Sequence, residues 1–320
     1  MTGRAGVVVR DFRPADAGSL LGMRRLVRPF HVMSPAGLAW QVTGAPAAQR
    51  FRLLVAEVEA DGEVVGCAGV GLAFDSSEPG QAFANPMVHP DARGRGAGGA
   101  LLAEAERYLA GLGAESVFAW ALADERSRAF AVQRGYRPLR VARYLRLDLR
   151  NTPLPRPAAP PPGVRLCTAA DLADDPRPLY LADAETTSDE PSDTPGDTLS
   201  YPDWLSLYWA DPDLDRNLTA VALVDGAVAA FATARTDGRG GYLSAMTGTV
   251  RAHRGRGLAK LVKNHSLHLA RSAGCTWAYT GNDTGNAPML AVNEWFGYRP
   301  AGTEQRYAAE LAARTRDHHR

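Results

Sequence analysis

Lysine is almost missing from this sequence. Only Lys260 and Lys263 occur, so the basic charge is carried by arginine. Net charge is also small, at +1. A chain without a global field of one sign is not built to wrap nucleic acid or lie on an anionic membrane. Cysteine is scarce: Cys67, Cys167 and Cys275 are odd in number and far apart. They fit buried apolar positions in a reducing compartment, not a disulfide frame or a metal site. No apolar run approaches the ~18 residues a membrane span needs. The first residues, MTGRAGVVVRDF, hold no run of signal-peptide length. These absences lead us to expect a cytoplasmic protein without metal, membrane or nucleic-acid partner.

What is present is a chain written twice. The 320 residues leave room for two domains. NTPLPRPAAPPPG (151–163) divides them, and its prolines predict a semi-rigid extended linker. The expected domains are 1–150 and 164–320. Each half opens on a short strand, then reaches a hairpin turning at Asp-Gly (Asp61-Gly62, Asp225-Gly226). Each continues with a strand, an arginine–glycine loop, an amphipathic helix, a strand, a short helix ending in Gly-Tyr and a last strand. The interval from Arg93 to Gly135 differs from that between Arg254 and Gly297 by a single residue. The repeat is an internal duplication at domain scale, far too long in period for a solenoid.

The loops are HPDARGRGAGG (89–99) and HRGRGLAK (253–260). Glycine permits a tight turn with amides facing inward. The following helix start offers unpaired N–H groups and a partial positive charge. Together they suit a phosphate or diphosphate, with the arginines adding charge-assisted bonds. Gly94, Gly96 and Gly99 do spell a dinucleotide fingerprint. The second copy breaks it at Lys260, and both loops follow a meander of strands instead of the first strand of a βαβ unit. Neither loop has the Gly-Lys-Ser/Thr of a P-loop.

With its flanking residues, Val88-x-Pro-x-x-Arg-Gly-x-Gly-x-Gly resembles the acetyl-coenzyme A loop of the GNAT superfamily of N-acetyltransferases, and so does Val250 with Arg254-Gly255-Arg256-Gly257-Leu258-Ala259. The Gly-Tyr helices are similar to that family's next motif. The resemblance implies an α/β (α+β) fold: two tandem GNAT-like domains, each a mixed, mostly antiparallel sheet flanked by helices. Within each, two strands part to admit the pantetheine arm. It also implies that Val88, Arg93, Gly94, Arg95, Gly96, Ala97 and Gly98 in the first half bind acetyl-coenzyme A. In the second half the implied set is Val250, Arg254, Gly255, Arg256, Gly257, Leu258, Ala259, Asn286 and Asn293. The implied reaction is direct attack by the amine of a small molecule in a ternary complex, with a backbone N–H near Val88 or Val250 polarising the thioester. No metal is implied, and the protein would work as a monomer or homodimer.

The sequence departs from the family at one position. Four residues before the helix-ending glycine, where the family often has Tyr, stand Ala131 and Asn293. Asn286 and Asn293 could still hydrogen-bond the cofactor, whereas Asp124 in the first half would repel it. The second half is therefore the expected catalytic one, with Val250, Asn293 and Glu185 as its catalytic residues. Glu185 belongs to an acidic stretch with Asp189, Glu190, Asp193 and Asp197. That stretch reads equally as a lip for a cationic amine and as a solvated loop. Tyr201, Trp204, Tyr208 and Trp209 read as core, and His265 and His268 lack metal-site spacing. Two alternatives stay open: a non-catalytic acyl-coenzyme A sensor or scaffold, and a mycothiol-synthase-like acetyltransferase.

Overall fold

The structure, a computed structural model, describes residues 6–189 and 198–311. Glu190, Asp193 and Asp197 of the acidic stretch, and His318 and His319, lie outside them. The first half runs β1 (Val7–Asp11), α1 (Ala17–Val27), α2 (Pro35–Thr43), β2 (Arg52–Val58), β3 (Val64–Leu72), β4 (Gln81–Val88), α3 (Ala97–Gly111), β5 (Ser116–Leu122), α4 (Glu125–Val132) and β6 (Arg137–Asp148). The second runs β7 (Val164–Thr168), α5 (Arg177–Thr187), α6 (Tyr201–Trp204), β8 (Ala220–Val224), β9 (Ala227–Thr236), β10 (Gly241–Thr249), α7 (Leu258–Ser272), β11 (Trp277–Asp283), α8 (Ala287–Trp295) and β12 (Arg299–Glu310). The duplicated order read from the sequence is thus the order observed. The Asp-Gly turns take the expected positive φ: 72° at Gly62, 50° at Asp225 and 82° at Gly226. Helix α2 follows α1 across a short loop. Its signal is Ser34-Pro35, where the Ser34 hydroxyl accepts from the Gly37 amide at 2.9 Å.

Strand alternation builds three layers. Leu54, Ala56 and Ala68 pack with Leu101 and Leu102 of α3. Their neighbours Leu53, Val55 and Cys67 pack with Leu20 and Leu21 of α1 on the opposite face. In the second half Ala220, Ala222 and Ala230 meet Leu258 and Val262 of α7. Val221, Leu223 and Phe231 meet Leu179 and Ala182 of α5. All three cysteines are free and buried in these layers. Trp204 and Trp209 are buried as expected, but Tyr208 is exposed. No described helix is long and apolar enough to cross a membrane.

The two halves share one 12-stranded sheet, ordered β1-β2-β3-β4-β5-β12-β6-β11-β10-β9-β8-β7. Each half is completed by the other's last strand. β12 pairs antiparallel with β5, from Glu304 opposite Leu122 to Glu310 opposite Ser116. β6 pairs in the same sense with β11, from Asp148 opposite Trp277 to Ala142 opposite Asp283. The exchanged strands then pair with each other at the centre. Among the described strands, only β4 with β5 and β10 with β11 run parallel.

The proline-rich linker is strapped to α7. Asn264 donates to the carbonyls of Pro155 and Arg156, both at 3.2 Å, and His268 Nε2 lies 2.9 Å from the Pro155 carbonyl. Prolines cannot donate, so the segment offers acceptors and α7 supplies the donors.

The exchange makes a prediction. Residues 1–150 expressed alone leave β6 without a partner and one edge of β5 open. They should aggregate or self-associate in size-exclusion chromatography, and co-expression with 151–320 should restore a 1:1 complex.

Candidate active site

Each parallel pair holds together for a few residues and then parts. β4 and β5 pair at Gln81–Ser116, Ala82–Val117 and Phe83–Phe118 and no further. Just past that point the Asn85 side chain accepts from the Trp120 amide at 2.8 Å, closing the apex of the cleft. The glycine loop lies at its mouth. Gly94 and Gly96 have φ of 84° and 100°, and Gly255 and Gly257 both have 76°. No side chain caps α3 or α7, so their first amides face the loop unshared. A Cβ on Gly98 would sit 3.3 Å from the Phe130 ring, which leaves little space there for a side chain. This is the cradle a diphosphate requires.

A cavity of about 370 Å³ fills the first cleft. It runs from Arg93, Gly94 and Gly96 past Val88 to Arg28 and Leu122. Arg126 and Arg134 of the α4 segment also line it, two cations near the loop that sequence reasoning missed. Their signal was the pair of arginines flanking the Gly-Tyr helix. Arg134 stacks on Phe130 with its guanidinium 3.8 Å from the ring centre. Arg93 Nε donates to the Val88 carbonyl, 3.4 Å. Arg95 is exposed.

Strand alternation decides which amide faces the cleft. The His89 amide donates to Val65 in β3 at 2.9 Å, so that of Val88 turns the other way. Pro86, two residues earlier, has no N–H to offer.

The same rule corrects the expectation for Val250. Its amide donates to Ala229 in β9 at 3.0 Å and is unavailable to a thioester. The counterpart of Val88 is Thr249, whose carbonyl accepts from Arg254 Nε at 3.1 Å. Val250 lies one residue beyond that counterpart, which in a strand reverses the direction of the amide.

The other expected residues of the second half are already engaged. Asn286 caps α8, accepting from the Met289 amide at 3.3 Å. Asp124 caps α4 in the same way, accepting from Ser127 at 2.7 Å. Glu185 accepts from the Arg251 amide at 2.7 Å. Arg254 is paired with Asp189, which also holds Arg251. The Arg251 and Arg254 side chains lower the Asp189 carboxyl to a pKa of about 2. Arg256 lies 3.0 Å from His253.

Beneath its loop, the second cleft carries polar groups where the first has small or apolar ones. Register places Lys263, Thr280 and Asn282 where the first half has Leu102, Ala119 and Ala121. Asn293, fully buried, stands for Ala131 and donates to Asn282 at 2.6 Å. Lys263 is also fully buried, its ammonium 3.5 Å from the Thr280 hydroxyl and 5.2 Å from the Tyr298 ring centre. Burial pulls its pKa down to about 7.

A family model described as the acetyltransferase (GNAT) family matches residues 23–136 and 179–298, which together form most of the chain. The chain belongs to the GNAT acetyltransferase family. It is 28% identical to a mycothiol acetyltransferase of Nocardiopsis dassonvillei over 92% of this chain and 89% of that protein. Over 144 residues, 42% of this chain and 44% of the other, it is 37% identical to a mycothiol acetyltransferase of Mycobacterium avium. Two solved structures share the fold at 21% identity and TM-scores of 0.71. A GCN5-related N-acetyltransferase of Sphaerobacter thermophilus aligns over 97% of both chains. A tandem GNAT protein of the clavulanic acid biosynthesis pathway aligns over 96% of this chain and 99% of its own. The protein is an acetyl-coenzyme A-dependent N-acetyltransferase with two GNAT-like regions.

Lys263 supplies a prediction with a definite sign. Its folded pKa lies below the unfolded value, so charging it opposes folding, and the penalty grows as pH falls from about 10 to about 7. Lys263→Met should raise stability by up to about 5 kcal/mol near pH 6.5 and by little at pH 10.5, read from urea unfolding.

Proposed function

We propose that the first half holds the working acetyl-coenzyme A site and transfers the acetyl group to the amine of a small molecule. The observation that carries this reading is the cavity that runs unbroken from the Arg93–Gly98 loop to the Arg28 end between the parted strands. The loop amides and Arg93, Arg126 and Arg134 would hold the phosphates, and the apolar walls at Leu102, Ala119 and Phe130 would take the pantetheine arm. The Val88 amide then faces the thioester oxygen and stabilises the charge that builds there, a contribution of roughly 2.7–4 kcal/mol for such a donor. The amine attacks the carbonyl carbon while both substrates are bound, and the coenzyme leaves as its thiolate. A thiol pKa near 8.5 makes this departure feasible without the family's tyrosine at Ala131.

The second half, favoured on sequence grounds, has less to offer this chemistry. Its loop arginine Arg254 is shared with Asp189, and beneath the loop stand the buried Lys263 and the hydrogen-bonded pair Asn282 and Asn293. The relatives named for mycothiol acetylation support a small, thiol-pathway amine as one acceptor class to test.

Thiol release from acetyl-coenzyme A, measured with a panel of polyamine, amino sugar, aminoglycoside and amino-acid amide, tests the assignment. Arg93→Glu should lower kcat/KM at least 100-fold and abolish uptake in calorimetry. Arg254→Glu should leave turnover within threefold. The opposite pattern would return catalysis to the second half.

A further inference from the structure

A cluster of ionisable groups adjoins the cavity through Arg28, the member of the cluster that lines it, and the mechanism so far uses none of it. Glu304 of β12 is 1% exposed. It comes from the far end of the chain and reaches the first cleft only through the strand exchange, opposite Leu122 of β5. Arg28, at the end of α1, lines the cavity. It donates to the Trp120 carbonyl at 2.8 Å and pairs with Glu304 at 2.7 Å. The other carboxylate oxygen of Glu304 lies 3.2 Å from His31 Nε2, in the loop between α1 and α2. The Tyr144 hydroxyl of the exchanged β6 neighbours Glu304 and favours its ionised form. The Tyr144 ring lies 5.2 Å from that of His31 and stacks on Phe30 at 4.1 Å.

We propose that His31 is the general base of the acetyl transfer, held in one tautomer by Glu304. This rests on the first cleft being the working site. An ionised carboxylate only accepts, so Nε2 must carry the proton and donate to Glu304. Nδ1 of the neutral ring is then left with a lone pair. His31 remains partly exposed, whereas Glu304 behind it is sealed from water. That arrangement orients the imidazole and leaves it able to exchange protons.

An alkylammonium has a pKa of about 10 and cannot attack until it loses a proton. Nδ1 accepts that proton, and His31 passes it to solvent. The freed lone pair forms the C–N bond as the C–S bond breaks. The second nitrogen proton neutralises the departing thiolate, so one free thiol and one solvent proton leave for each amide formed.

The charged groups around the ring balance towards a base. Burial lowers the His31 pKa; Glu304 opposes this, while Arg28 and Arg24 of the same helical segment add to it. Glu304 itself is held below the usual carboxylate range. Burial pushes it up, but the His31 bond, the Arg28 charge and the Tyr144 hydroxyl outweigh that. The ring is therefore neutral at pH 7, the form a base needs.

The test follows kcat against pH with the best amine of the panel. His31→Gln should lower kcat about 100-fold at pH 7, with the deficit shrinking as pH approaches that of the free amine. Glu304→Gln removes the group that raises the His31 pKa and should move the acid limb to lower pH. Acetyl-coenzyme A binding in calorimetry should be unchanged in both variants. A His31→Gln deficit that stays constant with pH, or an unmoved limb in Glu304→Gln, would overturn the role. Nitrogen-15 NMR of the imidazole needs no amine and no variant. It should show Nε2–H at pH 7, and an Nδ1–H tautomer would equally refute the proposal. Loss of cofactor uptake in Arg93→Glu bears on the site, and these readouts bear on the base.

Discussion

The molecule depends on the antiparallel pairing of β6 with β12. Both strands leave the half in which they begin, cross the centre of the sheet and complete the other half. Their mutual ladder joins the two halves into one sheet. It also carries Glu304 to Arg28, which lines the first cleft, with Tyr144 close by. Neither residue belongs to the first half's own strand set at that place, since Glu304 is encoded in the last strand and Tyr144 in a strand lent to the other half. The site is thus a product of the exchange as much as of the duplicated motif.

The two copies keep the same backbone and have diverged in what they enclose. Both have two parallel strands that part, a loop with positive φ at paired glycines and a helix start without a side-chain cap. The contents differ at a few positions. Ala119, Ala121 and Ala131 line the cavity of the first cleft, while Thr280, Asn282 and Asn293 stand at the same places in the second, with Asn293 bonded to Asn282. Leu102 gives an apolar wall where Lys263 places a buried amine. With the glycine geometry of the loops alike, the two cradles differ in the side chains beneath them.

Much of this was legible in the residue order. Glycine pairs, Asp-Gly turns and helical periodicity are local signals, and each sits where it was read. The strand exchange was not legible, because alternation predicts that residues 137–148 and 299–310 are strands but says nothing about their neighbours. The His31–Glu304 contact spans 273 positions and has no local trace. Val250 shows the cost of reading a motif without its ladder. A one-residue offset is negligible in a pattern match, yet it separates an amide that bonds the next strand from one that faces a substrate. Likewise, Asn286 looked available as a side chain and proved to be a helix cap.

The lent strands have a consequence for descent. After most duplications, a copy that stops earning selection for its chemistry can decay and be deleted. Here deletion of either copy would strip a central strand from the survivor. A half relieved of catalysis is still obliged to fold, so mutation is free to rewrite its interior but not to remove it. If the first half does the chemistry, Lys263, sealed beneath the second loop, is the kind of substitution such a retained partner can accumulate.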